Sequence, residues 1–254
     1  MARWKQVTDT SKRQAPMKLL ANAREVIELL SERGPSSPAE IAEQLGTPRS
    51  SVYRLVEGLA AVDLVSISAD GQAELHLKWL HLADAARSAM SEWSAAGPAL
   101  EGLAGATGLT AFLSVPVGRE AVCVDWAPGR GIGVLVLRPG GSLPLYAGGA
   151  GRVVLAFGTD DVEQALAETE RPKLTPWTKT TRQELLDDVE TSRRQGYVHS
   201  DQDVTTGIGA IAVPVFGARG QLSGCLSVAG LATDVSASVK VLVAALEKAR
   251  ANLS

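Results

Sequence analysis

Five polar residues gather at the start of one short apolar-periodic stretch: Arg49, Ser50, Ser51, Tyr53 and Arg54. Arginine pairs bidentately with guanine or phosphate, and serine and tyrosine hydroxyls suit phosphate oxygens or base edges. The chemistry they offer is recognition of double-stranded operator DNA by the first turns of a helix in the major groove. A second group lies far off in the chain. Gly148-Gly149-Ala150-Gly151 opens another apolar stretch, and helix-start amides free of bulky side chains can approach an anion directly. The same glycines equally suit a tight turn that lets a helix pack close to a sheet.

Catalytic and metal chemistry find little support. His76, His81 and His199 have no metal-ligand spacing with one another or with Cys123 and Cys225. His199-Ser200-Asp201 is triad-like in one dimension only, because neighbours on a strand point to opposite faces. The glycine runs lack the Lys-Ser/Thr of a P-loop and the spacing of a dinucleotide fingerprint, and no G-x-S-x-G elbow occurs. A chain without catalysis, metal or cofactor is expected. The two cysteines sit in apolar strand-like runs and read as reduced core thiols of a cytoplasmic protein. No run approaches the ~18 apolar residues of a membrane span, and the first residues lack the apolar segment of a secretory signal.

The elements that must hold the first group can be read from periodicity. Leu19, Leu20, Ala23, Val26, Ile27 and Leu30 share one helical face, and Gly34-Pro35 stops that helix. Ser37-Pro38-Ala39-Glu40 reads as a capping box with proline at the first helical position. Ile41 and Leu45 are the apolar side of a short second helix that Gly46 ends. Thr47-Pro48 starts a third, with Val52, Leu55, Val56 and Leu59 inward and the five polar residues outside. This is the layout of a helix-turn-helix. Val65, Ile67, Leu75 and Leu77 then share the apolar face of two strands around Asp70-Gly71, a two-stranded wing. The wing tip carries no lysine or arginine, so it promises little DNA contact.

The formal net charge of -3 excludes a uniformly basic nucleic-acid coat, so DNA contact must come from a local patch. Arg3, Lys5, Lys12, Arg13, Lys18 and Arg24 against Asp9 alone make a basic arm ahead of the first helix. The same helices also suit a module for protein assembly attached to a ligand-binding domain.

Trp79, Leu82, Ala83, Ala86, Met90 and Trp93 recur at helical spacing, and Gly97-Pro98 closes the stretch. Such a linker helix serves an intramolecular core or a dimer seam. Beyond it, a short helix is expected around Ala99 to Ala106 and strands over 110–118, 120–128 and 131–139, followed by the glycine-rich bend and an apolar helix. Two further helices cover 160–169 and 181–196, a hairpin turns at Ala218-Arg219-Gly220, and a helix from Val235 closes the chain. Strands with helices at both ends indicate an α+β sensor domain rather than a doubly wound sheet.

Several blocks here resemble the isocitrate-lyase-regulator (IclR) family. Leu143-Pro144-Leu145-Tyr146, Gly149-Ala150-Gly151-Arg152 and Leu155-Ala156 are similar to its "PLHATAAGKALLA" block. Arg194-Gln195-Gly196-Tyr197, Ser200-Asp201, Gly207, Ile211-Ala212-Val213-Pro214-Val215 and Leu226-Ser227-Val228-Ala229-Gly230 resemble "RxxGYAxDxEExxxGxxxIAAPV…ALSVAG". Ser50-Ser51-Val52-Tyr53-Arg54-Leu55 is similar to the recognition-helix "KSTVHRLL". The resemblance implies a winged helix-turn-helix over 1–77, a linker helix over 78–96 and a GAF-like effector-binding domain over 97–254. It implies a homodimer or dimer of dimers that represses or activates genes in response to a carboxylic or aromatic acid. Carried over, the effector pocket comprises Gly149, Ala150, Asp201, Ala210 and Ser227, with Leu135 and Leu143 as apolar walls. Arg152 stands for the usual lysine, Ala210 for a cysteine of some members and Ala229 for a polar residue. A pocket poorer in donors implies a larger or more apolar ligand than a small keto acid.

Overall fold

Apolar periodicity draws the first stretch into a helix, α1 (Thr10–Arg33), whose Val26 and Leu30 are buried. The computed structural model describes residues 10–90, 93–131, 137–167 and 170–253, in two units that divide between Ala89 and Met90. Gly34 ends α1 with φ +79°, a conformation that favours glycine. The α2 helix (Pro38–Gln44) starts from a complete capping box: the Ser37 hydroxyl accepts from the Glu40 amide, and the Glu40 carboxylate accepts from the Ser37 amide. The α3 helix (Arg49–Ala61) follows after a turn at Gly46, and Val52, Val56 and Leu59 pack with Val26, Leu30 and Ile41. Strands β1 (Val65–Ile67) and β2 (Ala73–Leu75) pair antiparallel as the wing.

Three expectations for this unit need correction. Leu19 and Leu20 are 58% and 70% exposed, because the helices packed on α1 reach only its later turns. Ile67 and Leu77 are exposed too; Val65 and Ala73 are the wing residues that complete the core. The linker helix, α4 (Lys78–Ser88), is shorter than expected and is tied to the same unit by Trp79, whose indole donates to the Leu64 carbonyl at 2.7 Å. Trp93 instead belongs to the core of the second unit. Gly97-Pro98 does not close a helix but lies in the first turn of α5 (Ala96–Thr107), where proline lacks only an amide that has no helical acceptor.

The second unit is an antiparallel sheet of six described strands between helical layers. Its strands are β3 (Thr110–Val117), β4 (Glu120–Ala127), β5 (Ser142–Pro144), β6 (Val198–Asp201), β7 (Ile208–Phe216) and β8 (Leu222–Leu231), in the order β5-β4-β3-β8-β7-β6. Of the expected strand over 131–139, residues 132–136 lie outside the described residues, as does Leu135 with them. Period-two alternation splits the sheet's side chains. Leu113, Ile211, Val213, Leu226 and Val228 face α5 and the last helix, α10 (Val239–Arg250), which follows the short α9 (Ala232–Ala237). Ala121, Ala212 and Cys225 face the other layer, formed by α6 (Gly148–Phe157), α7 (Val162–Ala167) and α8 (Arg182–Gln195). Both cysteines are free and buried, and burial pushes each thiol up to about 12.

The α6 helix sits very close to the sheet, and its glycines permit it. A Cβ on Gly151 would lie 2.0 Å from the Pro144 carbonyl oxygen, and one on Gly149 3.0 Å from Cβ of Ala212. Gly151→Ala is therefore expected to cost about 3 kcal/mol of stability through overpacking against backbone. Denaturant unfolding of the variant checks this; a wild-type midpoint would mean that α6 does not seat on Pro144.

Candidate functional site

The α3 helix carries all five polar candidates outward. Val52 and Val56 bury one side of the helix, and Arg49, Ser50, Ser51, Tyr53 and Arg54 on the other are exposed. The start of α3 has no side-chain cap, since Pro48 stands at the capping position. Residues 1–9 of the basic arm lie outside the described residues.

In the second unit a cavity opens where α6 meets the sheet. Its walls include Leu143, Gly149, Ala150, Ala210 and Ser227, five of the expected pocket residues, together with Phe112 from β3. The hollow measures about 540 Å³ with its open mouth, although the centre of a water molecule can reach only about 60 Å³ of it. It is slim, and it suits a small molecule. Leu137, Val204 and Ile208 add to the apolar lining. Ser227 is 4% exposed and, among the described residues, its hydroxyl has no protein partner. The amides of Gly149 and Ala150 lie in the first turn of α6, where no carbonyl of the helix reaches back to accept from them. The hydroxyl residues Ser200, Thr205 and Ser227 and the first-turn amides of α6 thus border an otherwise apolar chamber.

Asp201 is not among the walls. It is exposed at the end of β6, whereas Ser200, one residue earlier, is buried and lines the cavity. Alternation along the strand sends the two side chains to opposite faces. The buried acid is Asp203, which sequence reasoning missed. Its carboxylate accepts from the Gly148 amide at 3.1 Å, from Arg152 Nη1 at 3.0 Å and from the Ser200 hydroxyl. A signal for both residues was present in the spacing: the family block has its aspartate three residues after the tyrosine, which is Ser200 here, and its second glutamate six after, which is Asp203.

Arg152 is 3% exposed and divided between two carboxylates, donating through Nε to Asp188 Oδ2 at 2.7 Å and through Nη2 to Asp188 Oδ1. Burial works against its charge, but Asp188 and Asp203 outweigh that and hold its pKa above the usual guanidinium value. Lys179 also donates to Asp188. Three buried groups and the partly exposed Lys179 form a network of two positive and two negative charges at the start of α6.

The chain belongs to the family of bacterial transcriptional regulators named for IclR. The model of the IclR C-terminal domain matches residues 86–254, and that of the IclR helix-turn-helix domain matches residues 19–66. Among curated relatives, the chain is 29% identical to the DNA-binding transcriptional repressor YiaJ of Escherichia coli, over 80% of this chain and 74% of that one. It is 28% identical to the HTH-type transcriptional regulator RhmR of the same organism, over 85% and 84%. Among solved structures, an IclR transcriptional regulator from Alicyclobacillus acidocaldarius has a TM-score of 0.75 at 27% identity, covering 93% of this chain and 99% of its own. An IclR homologue from Microbacterium hydrocarbonoxydans, complexed with 4-hydroxybenzoate, shares the fold with a TM-score of 0.78 at 23% identity, covering 92% and 97%. The protein is a DNA-binding transcriptional regulator, which sets aside the reading of its helices as an assembly module alone. No described helix is long and apolar enough to cross a membrane, and no described cluster of three His, Cys, Asp or Glu is placed to hold a metal.

His199, on the sheet face opposite Ser200, has a buried Nε2 without a hydrogen-bond partner among the described residues. Burial holds its imidazole below the usual 6.5, with Asp201 pulling the other way. The unfolded chain therefore takes up this proton more readily than the folded one. Its stabilising contribution is present above about pH 6.5 and fades as pH falls below it. Relative to His199→Gln, the wild type should lose more melting temperature between about pH 7 and about pH 5. Parallel slopes for the two proteins would remove the effect.

Proposed function

We propose that the second unit binds a small carboxylic or aromatic acid and that this occupancy sets the affinity of the first unit for operator DNA. The observation that carries the reading is the slim apolar cavity with an unpaired Ser227 hydroxyl beside the open first turn of α6. An anionic group fits the amides and hydroxyl, and an apolar body fits Phe112, Leu143 and Ile208. Gly149, Ala150, Leu143, Ala210, Ser200 and Ser227 are the proposed contacts. The bound ligand in the Microbacterium homologue is an aromatic acid, which agrees with this chemistry.

On the DNA side, Arg49, Ser50, Ser51, Tyr53 and Arg54 are the proposed contacts. A two-helix reader normally occupies two half-sites about one helical turn apart, so the working form is a homodimer or a dimer of dimers. Exposed Leu80 and Leu82 on α4 are consistent with a seam between copies. The protein acts in the cytoplasm, without catalysis. An effector switches such a regulator only if it binds the DNA-competent and incompetent arrangements with different affinity.

A gel-shift with the native upstream region tests both halves. Arg49→Ala with Arg54→Ala should weaken binding by about tenfold or more. It should also make binding less sensitive to salt, by about one unit of slope for each phosphate no longer neutralised. Binding that survives the double substitution unchanged would place the DNA contacts elsewhere. A carboxylic acid that raises the melting temperature should also shift the DNA affinity.

A further inference from the structure

The cavity's described lining contains no lysine, arginine or histidine. An anion inside it gains only hydrogen bonds and the positive end of α6, so the charge lying just behind that end matters. Asp203 lies there, a carboxylate 3.1 Å from the Gly148 amide. By itself it opposes a second negative group.

Arg152 offsets it, but Arg152 also faces Asp188. One guanidinium between two carboxylates leaves the cluster with a net charge of minus one. Lys179 supplies the missing positive charge through Asp188 Oδ1. Arg152, Asp188 and Asp203 are almost wholly buried, and the Lys179 side chain is 35% exposed. Water screens such a cluster less than it screens a surface pair.

Lys179 is held in place by its neighbours. The Thr175 hydroxyl donates to the Gln202 carbonyl at 2.7 Å, and the Thr178 hydroxyl donates to the Asp203 carbonyl at 2.7 Å. The segment before α8 is therefore strapped to the loop whose Val204 and Thr205 line the cavity.

We propose that Lys179 sets the charge preference of the cavity from behind, favouring a singly charged anion over its neutral counterpart without touching the ligand. The idea rests on the reading that the cavity holds a small acid. Lys179 is a positioning residue: it neutralises Asp188, frees Arg152 to offset Asp203, and so leaves the end of α6 able to accept one negative charge. With Lys179 removed, the network is negative and repels that charge.

Benzoate and benzamide are the probes, matched in shape and different in charge, with binding measured by calorimetry on the full-length protein. Wild type should prefer benzoate. Lys179→Gln should weaken benzoate by about tenfold while changing benzamide by less than about twofold. Lys179→Arg should keep the wild-type ratio. Lys179→Gln combined with Asp188→Asn, which restores neutrality by deleting a carboxylate, should recover it; this variant and Lys179→Arg decide the matter should the single change not fold. Equal loss of both probes in Lys179→Gln, an unchanged ratio there, or no recovery in the double variant would overturn the proposal and leave the acid-binding cavity standing. If wild type bound benzamide as well as benzoate, the charge preference alone would fall. If it bound neither probe, the reading of the cavity would fall and this proposal with it.

Discussion

Arg152 is held from two sides at once, and the architecture around the cavity depends on that. Its guanidinium joins Asp188 on α8 to Asp203 in the loop after β6, while its own backbone belongs to α6. Three segments distant in sequence are locked together at one point. A buried charge is costly unless it is paired and hydrogen-bonded, and here every member of the cluster has partners. Removing one partner leaves an uncompensated charge in the interior, which favours a single arrangement of α6, α8 and the loop.

That lock also shapes what the cavity can recognise. Asp203 takes the Gly148 amide, and the next two amides of α6 lie in its first turn without a helical acceptor. Ser200 is committed to Asp203, so Thr205 and Ser227 are the remaining hydroxyl residues of the wall. The rest of the lining is mainly apolar. The lining therefore combines a polar corner with an apolar body.

The two units have different kinds of core. The first unit's core is local: α1, α2, α3 and the wing close over Val26, Ile41, Val52 and Val56 within about fifty residues. The second unit's core is long-range, because β3 pairs with β8 across more than a hundred residues. This difference explains how far each was legible. Helical spacing, the capping box at Ser37 and the glycine at 46 mark the helix-turn-helix almost residue by residue, and the exposed side of α3 follows from the buried one. The linker was harder. Tryptophans at helical spacing joined Trp79 to Trp93, yet the two pack in different units.

The sequence by itself determined the helix-turn-helix, the exposed polar side of α3 and the helix opened by glycines, because each depends on neighbours within a few positions. Motif resemblance added the location of the cavity. Only the tertiary structure decided which acid is buried beside it. Asp201 and Asp203 are two residues apart and chemically alike, but strand direction turns the first to solvent and the turn after it carries the second inward to Arg152. The pairing of Lys179 with Asp188 was likewise invisible in the chain. Lys179 lies in irregular chain before α8, and its place is set by the bonds of Thr175 and Thr178 to the loop after β6, which no local pattern encodes.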